Sequence, residues 1–125
     1  MADGFYEWRK VDAITKIPYF IRLKSGEPFA FAGLWDRWEK GDEPLKTFTI
    51  ITTDNNEMMK PIHNKMPVIL HVKDEGLWLE PELKDPEKLL PLLKPYSSEE
   101  MEMYEVSTVV NSPKNDVPEC IEPIV

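Results

Sequence analysis

A single cysteine, two histidines, five glycines and the lack of any long hydrophobic run bound what these 125 residues can be. One thiol, Cys120, permits no internal disulfide and no thiolate cluster, so disulfide-stapled secreted folds are excluded and a reducing compartment fits. No apolar stretch approaches the roughly 20 residues that a bilayer-spanning helix needs. The start Met1-Ala2-Asp3-Gly4 carries an acid where a signal peptide has its basic and apolar regions. The expectation is a soluble, cytoplasmic chain without membrane contact. The spacing of His63 and His71, with no thiols beside them, suits no common closed zinc site, and no cofactor is expected. Internal repeats and low-complexity segments are absent as well.

What is present is ordinary for one folded domain: 42% hydrophobic residues and a length suited to a single modest core. The formal charge is −8, which argues against general nucleic-acid binding, because the sequence-independent part of that affinity comes from cations on phosphates. The charge is uneven. Residues 1–73 hold 11 Lys plus Arg and 10 Asp plus Glu, net +1; residues 74–125 hold 4 and 13, net −9. A phosphate-facing surface therefore fits the first part, with Arg9, Lys10, Arg22, Lys24, Arg37 and Lys65 as candidate cations. A solvated face of mixed charge is the alternative reading of the same residues.

Residues 5–9, F-Y-E-W-R, alternate as a strand does, with Phe5, Glu7 and Arg9 on one face and Tyr6 and Trp8 on the other. Residues 18–24 and 28–35 flank Ser25-Gly26 and read as the two arms of a β-hairpin. The polar residues 36–46 read as a loop and 47–52 as a β-branched strand. Asp54 is placed to cap a short helix over 55–59 that Pro61 stops. Residues 66–70 read as a strand and 73–79 as one or two helical turns. Asp85-Pro86 supplies a cap and a first helical position for a helix limited by Pro91 and Pro95. Residues 104–110 read as a last strand, and 111–125, with Pro113, Pro118 and Pro123, as an extended or irregular tail. The sum is one α+β domain over residues 1–125, dominated by antiparallel pairing. Trp8, Trp35 and Trp78 suit core positions, while Trp38, in the polar segment, is reachable for base stacking.

The segment P-I-H-N-K-M-P at 61–67 fixes one histidine, His63, between two prolines, and A-D-G-F-Y-E-W at 2–8 fixes one glutamate, Glu7, among aromatic side chains. Histidine titrates near neutrality, and burial against aromatic rings raises a carboxylic acid toward the same range, so such a pair can move protons. On pattern alone, Glu7 reads first as a strand residue paired with a neighbouring Arg or Lys, and His63 as a hydrogen-bonded turn residue.

At six ordered stretches the chain resembles the SOS-response-associated peptidase family, the SRAP domain. They are A-D-G-F-Y-E-W (2–8), P-Y-F-I-R-L (18–23), F-A-F-A-G-L-W (29–35), F-T-I-I-T-T-D-N-N (48–56), P-I-H-N-K-M-P-V-I-L (61–70) and V-S-T-V-V-N-S-P-K-N-D (106–116). The resemblance implies a mainly antiparallel, barrel-like α+β fold with a few short helices. It also implies a DNA-damage protein that binds single-stranded DNA and captures abasic sites. In that family, loss of the initiator methionine exposes an amino-terminal cysteine whose amine and thiol trap the sugar aldehyde as a thiazolidine. An α-amine is partly neutral and nucleophilic in the cell, so the chemistry is physically sound. By motif, Glu7 corresponds to the glutamate that manages protons around the amine and the opened sugar, and His63 to the histidine that assists ring opening or reversal. Thr52 and Lys65 lie in matching motifs and are expected to line the site or touch phosphate. Arg37 and Trp38 complete the expected DNA-contacting set.

The departure lies at the start, where position 2 is Ala2 and the segment that the family carries before A-D-G-F-Y-E-W is missing. The expectation is a partial SRAP domain, shortened by design, by a misplaced start codon or by a real gene break, which forms no crosslink alone. The alternative is a non-enzymatic piece that self-associates through exposed sheet edges, or pairs with a separate amino-terminal piece. Cys120, remote from the other motifs, is not expected to act as a nucleophile.

Overall fold

The computed structural model describes residues 1–125. Nine strands follow in chain order: β1 (Phe5–Lys10), β2 (Lys16–Leu23), β3 (Ala30–Phe31), β4 (Gly33–Trp38), β5 (Leu45–Ile50), β6 (Thr52–Asp54), β7 (Lys65–Pro67), β8 (Ile69–Leu70) and β9 (Met101–Glu105). One helix, α1 (Val72–Trp78), and five single-turn 3-10 helices complete the chain. Every strand pair is antiparallel, as expected.

The largest sheet has the order β1-β2-β9. β2 takes the centre because K-I-P-Y-F-I-R-L is apolar on both faces, and Phe20 and Ile21 are both buried. Pro18 is tolerated in a central strand because the β9 ladder stops at Glu105, opposite Tyr19. Beyond it only the Pro18 carbonyl is used, accepting from the Val106 N–H, so the missing N–H breaks no ladder bond. The main core lies against this sheet: Ile21 and Met101 pack with Phe29, Met59, Ile62, Met66, Ile69 and Tyr96.

Between β3 and β4, β5 and β6, and β7 and β8, one residue each stands apart: Ala32, Ile51 and Val68. The Ala32 N–H donates to the Val68 carbonyl at 2.9 Å, the Val68 N–H to Ile51 at 2.8 Å, and the Ile51 N–H to Ala32 at 2.9 Å. This closed ring of three bonds lets three continuous segments each exchange partners, so that β3 pairs β8, β4 pairs β5 and β6 pairs β7. Ala32 and Val68 have no exposed surface, and with Leu70 they form a second small core under Trp78, Leu92 and Leu93. The strands divide into one three-stranded sheet and three two-stranded ribbons, so the expected antiparallel pairing is present and a closed barrel is not.

Several local expectations are corrected. The turn at Ser25-Gly26 exists, with Gly26 at φ 73° and its N–H donating to Leu23. Its arms do not pair, however: Pro28 cannot donate, Phe29 is buried in the core, and β3 joins β8 instead. β4 and β5 run into the segment read as a loop, and Trp38 is a strand residue. Residues 57–60 form a turn rather than the expected helix over 55–59; Asn56, not Asp54, caps it by accepting from the Met59 N–H, and Pro61 follows at once. Asp54 pairs with Lys65 rather than capping. The last strand ends at Glu105, since Ser107 caps a 3-10 turn over Thr108–Asn111 by accepting from the Val109 N–H. The irregular tail is anchored on β9: Ile121 accepts from the Tyr104 hydroxyl, and the Ile124 N–H donates to Glu105. Trp35 is no core residue, being 71% exposed.

Candidate functional site

The geometry of the site starts from the β1–β2 hairpin. Asp12 accepts from the N–H groups of Ile14 and Thr15, a local turn that returns the chain and sets Lys10 opposite Lys16. These backbone bonds hold the Asp12 carboxyl below its usual range, because they favour the ionised form. Along β1 the alternation holds: Phe5 packs edge-on against Phe31 at 5.9 Å, and Tyr6 and Trp8 lie 6.3 Å apart on the other side. Glu7 is half-buried, and its Oε1 accepts from the Trp8 N–H at 3.2 Å.

His63 comes from the turn that precedes β7. Ile62 is held in the main core, and the His63 N–H donates to the Met59 carbonyl at 3.0 Å, so the backbone is fixed while the ring stays exposed. Its Nδ1 lies 3.1 Å from the Lys65 N–H and 3.2 Å from the Lys65 carbonyl. An unprotonated Nδ1 accepts from the first, and a protonated Nδ1 donates to the second. Nδ1 thus has a backbone partner with or without its proton, and Nε2 has no protein hydrogen-bond partner.

Glu7 and His63 line one open cleft of about 650 Å³. Trp8 and Lys10 of β1, Ile14 and Lys16 of the hairpin, Ile62, and Asn111 complete its walls. Asn111 holds the indole in place, its Oδ1 accepting from Trp8 Nε1 at 2.7 Å. Two lysines beside one carboxylate and one imidazole give the cleft a surplus of potential positive charge in a chain that is acidic as a whole. The chemical capacity of this cleft is proton transfer to or from a small polar group, beside cations suited to a phosphate.

Of the other expected residues, Lys65 adjoins His63, and its Nζ lies 2.7 Å from Asp54 Oδ1. Thr52 is exposed on β6 opposite Pro67. Arg37 and Trp38 stand on β4, apart from the cleft, and Arg37 pairs with Glu39 at 3.0 Å. Among the other candidate cations, Arg22 binds Glu102 at 2.7 Å, and Arg9 lies over the Tyr19 ring. His71 stacks on Tyr96 at 4.5 Å. Cys120 is buried, with its Sγ 3.7 Å from the Asn115 carbonyl. No group of three or more His, Cys, Asp or Glu side chains converges as a metal site would require.

Residues 1–113 match the family described as SOS response associated peptidase (SRAP). The chain belongs to the SRAP family. Among curated SRAP relatives, the Bacillus subtilis abasic site processing protein YoqW is 54% identical over 122 residues, covering 97% of this chain and 54% of YoqW. The abasic site processing protein HMCES of Gallus gallus is 38% identical over 146 residues, covering 99% of this chain and 42% of HMCES. A crystal structure of a Bacteroides thetaiotaomicron protein superposes with a TM-score of 0.86 at 37% identity, over 98% of this chain and 54% of that one. This SRAP chain thus spans about half the length of the curated relatives it matches.

Residue-by-residue reading missed Lys16, Ile14 and Asn111. The signal for Lys16 was available: D-A-I-T at 12–15 is an Asx-turn pattern, and closing it places Lys16 opposite Lys10. Asn111 carries no such signal, since it reaches Trp8 across 103 positions of sequence.

Proposed function

We propose that this chain carries the proton-handling and phosphate-binding portion of an abasic-site processing protein acting on single-stranded DNA. The observation that carries the reading is the shared cleft of Glu7 and His63, side chains from segments more than fifty residues apart. Opening an abasic sugar requires a proton to leave the anomeric hydroxyl and one to reach the ring oxygen. A carboxylate and an imidazole in one cleft suit that exchange. Glu7 manages protons around the attacking amine and the opened sugar, and His63 assists ring opening or reversal. In this reading Lys10 and Lys16 of the cleft, and Lys65 beside His63, meet the phosphates, and Thr52 keeps the contact role that its motif implies. The compartment is the cytoplasm, where a reduced Cys120 is at home.

Among these 125 residues an amine followed by a thiol, as the thiazolidine chemistry requires, has no counterpart: position 2 is Ala2, which supplies an amine at most, and the one cysteine, Cys120, is buried. This polypeptide by itself therefore forms no stable adduct. The test is to incubate it with single-stranded DNA containing one abasic site and to read intact mass and binding. Binding should favour the abasic strand over the intact one, and Glu7→Gln or His63→Gln should abolish that preference. Reversing Lys10 and Lys16 to Glu should lower the salt slope by about 2. A mass adduct that survives without borohydride would refute the claim of inactivity, and an unchanged preference in both variants would refute the assigned roles. The exposed β4–β5 ribbon favours the second reading, a piece that pairs with other polypeptide.

A further inference from the structure

A second cleft, of about 440 Å³, opens at the other end of β2 from the first. Lys16 lines the one and Leu23 the other, and an extended strand of eight residues sets them about 23 Å apart. The floor of this second cleft is apolar: Phe29, Leu70 and the ring of Tyr96 are buried, and Leu23 is half-buried. Its rim is acidic. Glu27, Glu99 and Glu100 are exposed there beside a single cation, Lys24, and none of the four enters an ion pair. The floor also holds one unused polar group. Tyr96 is only 9% exposed, His71 covers one face of its ring, and its hydroxyl has no hydrogen-bond partner in the protein. Burial first, and the Glu100 carboxylate second, hold that hydroxyl above its usual range, so it stays a donor and lies toward the Glu100 side of the cleft.

We infer that this cleft is a docking site for a short segment of another polypeptide, one in which lysine or arginine alternates with apolar side chains. An alkyl stem lies on Phe29 and Leu70 while its charged end reaches the carboxylates of the rim, as amphipathic side chains do. The Tyr96 hydroxyl donates to a backbone carbonyl of the segment, which supplies the acceptor that its own protein lacks. The volume is in the range that drug-sized molecules fill, so several linked groups fit rather than one ammonium. Other occupants match less of the cleft. A nucleic acid meets three carboxylates against one ammonium. A metal ion finds no ligand set, because the acids do not converge. A free polyamine satisfies the rim but brings neither apolar side chains nor an acceptor to the floor.

Amide chemical shifts of the isotope-labelled chain test this, with the capped hexapeptide Leu-Lys-Leu-Arg-Leu-Lys as the probe and spermidine as the comparison. The peptide should move the amides of Leu23, Lys24, Leu70 and Tyr96 together and leave those of Glu7 and His63 in place. The triple variant Glu27→Gln, Glu99→Gln, Glu100→Gln changes only exposed side chains and should weaken binding about tenfold. Tyr96→Phe keeps the ring on His71 and should weaken it about fivefold. Amides that stay unmoved at the highest soluble peptide concentration overturn the proposal. So do shifts spread over residues 74–125 without focus on the cleft, an unchanged affinity in the triple variant, or spermidine binding at the same amides as tightly as the peptide.

Discussion

Replacing Gly4 with alanine tests how tightly the site is tied to the sheet. Gly4 does not occupy a left-handed conformation, so the effect is purely steric. A methyl there would stand 2.3 Å from Phe20 Cζ, 2.6 Å from Phe20 Cε2 and 2.7 Å from the Ile21 carbonyl oxygen. Carbon atoms pack at about 3.5–4.0 Å, so something must yield by roughly 1 Å. The Phe20 ring lies between Tyr6 at 5.3 Å and Tyr104 at 5.8 Å and cannot swing aside without disturbing both. The carbonyl belongs to the β1–β2 ladder. Overpacking costs about 1–3 kcal/mol, and with backbone among the obstacles the upper end applies, about 3 kcal/mol. At roughly 4 °C per kcal/mol for a chain of this length, Tm should fall by about 10 °C. Scanning calorimetry measures it, and urea unfolding with an unchanged m-value assigns the loss to stability. Phe20→Leu removes two of the three close contacts, so the double variant should recover about 1 kcal/mol relative to additivity. Displacement at Gly4 also reaches Glu7, three residues on, so preference for an abasic strand should weaken. A Tm within about 2 °C of wild type, with the abasic preference intact, would refute the steric argument.

Asn111→Ala should cost about 1 kcal/mol by leaving Trp8 Nε1 without its acceptor, and should raise the quenching of Trp8 fluorescence by acrylamide. The Lys65 ammonium at 2.7 Å holds the Asp54 carboxyl below its ordinary range. A folded pKa below the unfolded one gives a contribution present above the unfolded value and lost as pH falls through the folded value. Asp54→Asn should therefore melt below wild type at neutral pH and coincide with it in acid, as thermal melts across pH will show. Cys120→Ala should leave DNA binding unchanged, and the native thiol should react slowly with Ellman's reagent, because it is buried among the tail and β9 contacts.

Local chemistry was legible along much of the chain. Alternation in F-Y-E-W-R placed β1 and the shared face of Phe5, Glu7 and Arg9, and Asp85 does accept from the Glu87 N–H as the pattern implied. Reading failed where a polar side chain or a distant strand offered the backbone another partner. Asn56 rather than Asp54 capped the turn before Pro61, Ser107 ended the last strand early, and β8 took β3 from the hairpin expected around Gly26. Trp35 was misplaced for a different reason, since aromatic character alone does not state which surface is available to cover it.

The order and spacing of its motifs, by themselves, determined the family of this chain, its antiparallel character and Glu7 and His63 as the residues to watch, because those properties follow from residue type and local period. Tertiary structure alone decided that Glu7 and His63 share a cleft with Lys10, Lys16 and Asn111, that Ala32, Ile51 and Val68 close a three-way junction, and that the β4–β5 ribbon stands uncovered. Each of these depends on pairings between segments far apart in sequence, whose register is set by which buried surfaces fit together, and no local pattern encodes that choice.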